Sequence, residues 1–224
     1  MGASGAWAVR LGFSLFLAVA SAKAEDTPWT SRDYVDLYFR HYNGQVPLPH
    51  LRQDAQKTLF NHLTDPRNIT RIAEAPISQD EKLRQLRIIL AVLGAYRAAY
   101  NVAVIIGEPL EQELTLVQAH SLQVAATLAG LLRKPPGAGN ASSAWATLVE
   151  GVILSIDDSE HYSPAQSAIL ADAVALHYPA IAAVLTEDDR RRLRAQALAL
   201  KPAHGNAAQR EAMARMKQAL STAP

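Results

Sequence analysis

The chain has 224 residues, and its 22 Lys and Arg side chains almost balance 21 Asp and Glu. A nucleic-acid-binding face needs a surplus of basic charge, so that balance argues against a nucleic-acid partner. Cysteine is absent, which excludes disulfides, thiol redox chemistry, Cys-ligated zinc, iron–sulfur clusters and an acylated-cysteine anchor; a domain of this length buries about 70 % of its unfolded surface and needs no such staple.

The first residues read as a secretory leader: Arg10, an apolar run over 11–20, then the small-residue site Ala22-Lys23-Ala24. The run is shorter than the ~20 residues of a bilayer span. Cleavage after Ala24 is expected, leaving 25–224 as a single helical domain of the bacterial cell envelope, periplasmic or secreted. Without Arg10 and Lys23 the remainder carries 20 basic and 21 acidic side chains.

Thr30 or Ser31 can cap a first helix that ends before Gly44. Tyr34, Tyr38 and Tyr42 fall on one stripe of it. Tyrosine combines an apolar body with a polar tip, so the stripe is a candidate partner surface, or else the seam that docks this helix on the core. A second helix is expected over 51–63 and a short helix or turn over 65–76. Ser78 and Glu81 have the spacing of a capping box, opening a helix over 78–107. Glu108-Pro109 turns the chain into a second long helix over 110–133.

The stretch 134–142, with two prolines and two glycines, reads as a loop, followed by a helix over 142–160. Ser163-Pro164 is a cap with proline at the first helical position, and Pro179 is expected to break or kink the helix it opens. Thr186 caps the next helix, and 203–224 closes the chain as a helix open to fraying. The run Arg190-Arg191-Arg192-Leu193-Arg194 reads as a solvated helix face, with Glu187 and Asp188 each placed four residues before an arginine. No strand pattern and no fixed-period repeat is present. The expected fold is an all-α bundle of six to eight helices with a long central antiparallel hairpin over 78–133.

Two stretches of that hairpin, 88–106 and 114–132, have the length of membrane spans. Their polar content argues for a buried hairpin: Arg97 and Asn101 in the first, Gln118, His120, Ser121 and Gln123 in the second. A mid-span arginine alone costs about 2.5–3.5 kcal/mol, so no transmembrane span is expected after leader removal.

Arg97 is the most informative residue. At about 100° per residue it shares a meridian with Leu83, Leu86, Leu90, Leu93, Asn101 and Val104. The opposite side is small and apolar, with Ala91, Ala95, Ala98 and Ala99, so the helix reads as buried all round. A buried guanidinium needs a carboxylate or several acceptors. Measured back from the turn, Arg97 lies level with His120, and Asn101 within a turn of Glu113. Arg97, Asn101, Glu113 and His120, with Tyr96 and Tyr100 beside them, therefore form the candidate ligand-binding constellation. It has three readings: an ion pair that sets helix register, a site for a small anionic ligand, or an arginine that snorkels to water.

Two further candidates read as structural. His177 lies on the apolar face of its helix, where it can satisfy a carbonyl freed by Pro179. The acids and histidine of 156–162 lack the spacing of an EF-hand and fall on a solvent face. Asn68 and Asn140 open N-x-S/T triplets, which chance alone supplies at this frequency. H-E-x-x-H, paired E-x-x-H, G-x-S-x-G and phosphate-loop motifs are all absent, so no metal or cofactor is implied. The leading expectation is a non-enzymatic module that binds a protein or a small anionic ligand. The alternative is an enzyme acting on an anionic substrate through an interior Arg/Glu/His site.

Overall fold

The computed structural model describes residues 27–132, 140–201 and 206–223, the side chains of 140–143 excepted. The leader expected over 1–24 lies outside the described residues, as does the 134–142 loop up to residue 139. From Asn140 the chain is already helical. Every regular element among the described residues is a helix, and the fold is the expected all-α bundle.

Local signals account for where the helices begin. Helix α1 (Ser31–Tyr42) is capped by Thr30, whose backbone N–H and hydroxyl both donate to the Asp33 carboxylate at 2.7 Å. Helix α2 is Asp54–Leu63. Asp65 caps α3 (Pro66–Glu74) by accepting from the Arg67 N–H at 2.8 Å, with Pro66 in the first turn where its missing donor costs nothing. Ser78 caps α4 (Gln79–Ile105) by accepting from the Glu81 N–H at 3.2 Å. The reciprocal half of the expected capping box is not made, because the Glu81 carboxylate accepts instead from Arg84 and Gln85 on the next turn.

Helices α5 (Glu111–Leu131) and α6 (Asn140–Asp157) follow, then α7 (Pro164–Ala182), which Ser163 and Gln166 close with a complete capping box. Thr186 caps α8 (Glu187–Ala199) and Asn206 caps α9 (Ala207–Thr222). Both α1 and α4 stop at a glycine in the left-handed region, Gly44 (φ +69°) and Gly107 (φ +91°). In the second case Glu108 N–H reaches back to the Ala103 carbonyl and Gly107 N–H to that of Val104, both at 2.9 Å. This paired closure requires a residue that tolerates positive φ.

Three expectations about the C-terminal half change. Pro179 does not break its helix: α7 runs through it to Ala182. Packing holds the turn around it, since Tyr178, Ile181 and Ala182 are buried while Pro179 itself faces out. The final helix is not frayed either. It packs along α7, burying Ala212, Met213, Met216 and Leu220. The arginines of α8 form a solvated face only in part: Arg190 pairs three residues back with Glu187 at 2.7 Å, and Arg191 with Asp188 and Arg192 with Asp189 at 3.2 Å, whereas half-buried Arg194 donates to the Leu220 carbonyl at 3.0 Å.

Helices α4 and α5 fold back on each other as expected, but they are not equally buried. α5 contacts α3, α4, α6 and α7, and its polar residues Thr115, Gln118, His120 and Ser121 lie inside the bundle. Both helices are long and apolar enough to cross a membrane by length and composition, yet only a third of the apolar window of α4 is buried. The buried arc of α4 runs through Leu86, Ile89, Leu93, Tyr96 and Tyr100, against α5 and α1. Arg97 and Asn101 therefore stand at the edge of that arc, and Ala91, Ala98 and Val102 face outward.

Candidate functional site

The edge of α4 that carries Arg97 faces α6 across a groove floored by α5. One end is a cavity of about 420 Å³ lined by Arg97, Asn101, Gln118, Ser155, Asp158 and Tyr162, among others. A second cavity of about 210 Å³ adjoins it and is mostly apolar, with Leu90, Trp145 and Leu148 in its wall. Arg97 and Gly94 line both. Gly94 on α4 and Gly151 on α6 help keep the groove open: a Cβ built on either would meet nothing within 4 Å.

Arg97 is half-buried and forms no ion pair or hydrogen bond among the described residues. Burial alone draws its pKa below the ordinary arginine value, with no carboxylate acting against it. The floor is organised: Tyr162 Oη donates to Gln118 Oε1 at 3.5 Å, Gln118 Nε2 donates to Ser155 Oγ at 2.9 Å, and Ser155 Oγ donates to the Gly151 carbonyl at 3.1 Å. Asp158 lines the polar end, already engaged by His161 Nδ1 at 2.9 Å. Among the described residues the groove thus offers one free cation midway, an acidic and amide-rich end, and an apolar end.

The four-residue constellation does not assemble. Arg97 and Asn101 share the groove, with Asn101 exposed. Glu113 and His120 are buried on other faces of α5. Glu113 Oε1 accepts from the Leu51 N–H at 2.7 Å. Tyr100 Oη donates to the Pro49 carbonyl, and Tyr96 packs edge-on against Tyr38. Helical height predicted the neighbours of Arg97, but direction around α5 decided against them: Gln118, two residues before His120, and Ser121, one residue after it, are the α5 side chains that reach the groove.

His120 belongs instead to a polar cluster between α1, α3 and α5. Tyr34 Oη donates to the Leu63 carbonyl at 3.0 Å and lies 3.4 Å from His120 Nε2. Asn68 Nδ2 donates to Tyr34 Oη at 3.0 Å and to the His62 carbonyl at 2.7 Å, while Asn68 Oδ1 accepts from the Trp29 N–H. Trp29 stacks on His62 with ring centroids 5.1 Å apart. His120 Nδ1 meets Gln123 Oε1 at 3.1 Å. Burial lowers the His120 pKa to about 4. Asn68 is fully enclosed, which closes its N-x-T triplet to modification in the folded protein.

The tyrosine stripe of α1 splits for the same reason. Tyr34 is 0 % exposed and forms part of the core, Tyr38 is half-buried, and Tyr42 at 74 % faces solvent. Tyr34 is thus not a partner-surface residue. His177 is half-buried rather than central to the core. The acids of 156–162 form no metal-ligand cluster, and none of three or more His, Asp or Glu side chains is found among the described residues.

Several groove residues carry no motif and were not singled out by spacing: Gln118, Trp145, Gly151, Ser155 and Tyr162. The detectable signal was Gly94 and Gly151, two glycines inside helices that alanine would favour. Comparison with family models, curated proteins and solved structures gives no match. The fold and the groove define the class on their own: an all-helical protein with an interior-facing cation in a solvent-reaching cleft.

Proposed function

We propose that this chain is an exported, non-enzymatic binding module whose α4–α6 groove takes a small anionic ligand through Arg97. One observation carries the reading: the guanidinium sits half-buried at the junction of two cavities with no anionic partner among the described residues. Partial desolvation strengthens any charge-assisted bond it makes, and its planar fork suits a carboxylate or a phosphate. The enzymatic alternative needs Glu113 or His120 in the cavity of Arg97, whereas both are engaged elsewhere in the bundle.

A thermal-shift screen of the purified mature domain against acetate, sulfate, phosphate and a set of organic acids tests the reading. Binding to the folded state must raise its melting temperature. The shift is expected in the wild type and not in Arg97→Met; a shift of equal size in both overturns the assignment to Arg97. Export is checked separately, by locating the protein in the producing cell and finding Glu25 at its N-terminus.

A further inference from the structure

Resting on that reading, we infer that the ligand is a monocarboxylate with an apolar body: its carboxylate pairs with Arg97 and its alkyl or aryl part fills the Trp145 end of the groove.

The two ends differ in chemistry. Beyond Gly94 the cavity of about 210 Å³ is walled by Leu90, Trp145 and Leu148, with Ser121 the one hydroxyl among the described residues that line it. An alkyl chain or ring gains there from leaving water, and an indole wall adds stacking for a ring. The other end holds Asp158, whose charge opposes a second negative group on the ligand. Dicarboxylates and phosphate dianions are disfavoured accordingly, while one carboxylate matches the Arg97 guanidinium bidentately. Gly94 leaves the passage between the ends open, since a Cβ there would meet nothing.

The test is a titration series by calorimetry: acetate, butyrate, hexanoate and octanoate, then octanol, suberate and inorganic phosphate. Affinity is expected to rise about fourfold per methylene until the apolar end is full. Octanol and suberate should bind at least tenfold more weakly than octanoate. Arg97→Met should lose the octanoate affinity at unchanged melting temperature. Gly94→Leu keeps Arg97 but fills the passage to the apolar end, and should abolish the rise of affinity with chain length.

If phosphate and acetate bind as tightly as octanoate, and only through Arg97, the anion site stands and the ligand class falls. If octanol binds as well as octanoate, and Arg97→Met changes nothing, both the class and the binding function assigned to Arg97 fall. No binding by any member of the series overturns both as well.

Discussion

Tyr34 and His120 are 86 residues apart in sequence, yet the Oη of one and the Nε2 of the other lie 3.4 Å apart inside the bundle. The tyrosine has one proton and two claimants, the Leu63 carbonyl at 3.0 Å and the imidazole. With Nδ1 donating to Gln123, Nε2 is left as an acceptor, so the phenol proton is shared between them. Burial raises the pKa of this phenol well above its usual value, so it keeps its proton at every physiological pH.

Replacing that hydroxyl tests the cluster. Tyr34→Phe leaves the ring in place but strips partners from the Leu63 carbonyl and the Asn68 amide. A loss of about 1–3 kcal/mol is expected, as for a buried polar group left unsatisfied. Urea unfolding of the variant measures it, and an unchanged midpoint would show that water takes over both bonds.

The same cluster predicts a pH dependence with a definite sign. The folded pKa of His120 is about 4, below the ordinary 6.5, so the unfolded chain binds a proton that the folded one refuses. Above the ordinary value both states are neutral and stability is flat. As pH falls from 6.5 towards 4 the unfolded state is favoured, by roughly 3 kcal/mol in total. Burial also lowers the pKa of His177, which adds a smaller loss of the same sign. Melting temperature against pH reads this out, and His120→Gln is expected to remove most of the slope.

Arg97→Met separates a binding arginine from a structural one. No carboxylate loses a partner when the guanidinium goes, and the desolvation that weakens its charge is relieved. Stability is expected to stay within about 0.5 kcal/mol of wild type or to rise. A loss of several kcal/mol would mean that the arginine holds the helices in register.

Gly94→Ala and Gly151→Ala should each stabilise the protein by about 0.5–1 kcal/mol, since glycine is a poor helix residue and the added methyl meets open space. Thermal melts of the two variants check this. Destabilisation would mean that the helices close over the groove in solution.

Met216→Ala probes the last helix. Met216 is fully buried where α9 lies along α7, so truncation is expected to cost about 2–5 kcal/mol. A loss near zero would return α9 to the frayed state its alanine-rich sequence suggests.

A small part of the candidate site was legible, and the rest was not, for a common reason. Arg97 and Asn101 stood out as polar residues on an apolar meridian, and the hairpin placed them at the right height. Gln118 rather than His120 completes the groove because two residues on a helix point about 160° apart, and only the packing of α6 and α7 around α5 selects one. The stripe that begins at Tyr34 could be read as surface or as seam for a similar reason. It slopes across the α1–α4 seam, and the contact with α3 covers its first member but not Tyr42.

Capping side chains, two left-handed glycines and the placement of prolines act within four or five residues. The order and ends of the helices were therefore written in the chain itself, and so was the all-α class. Which arc of α4 meets protein and which meets the groove was settled by helices far away in sequence. A helix apolar on every side has no periodicity to break the tie, so only the arrival of α1 on one flank and α6 across the other could leave Arg97 facing an open cleft.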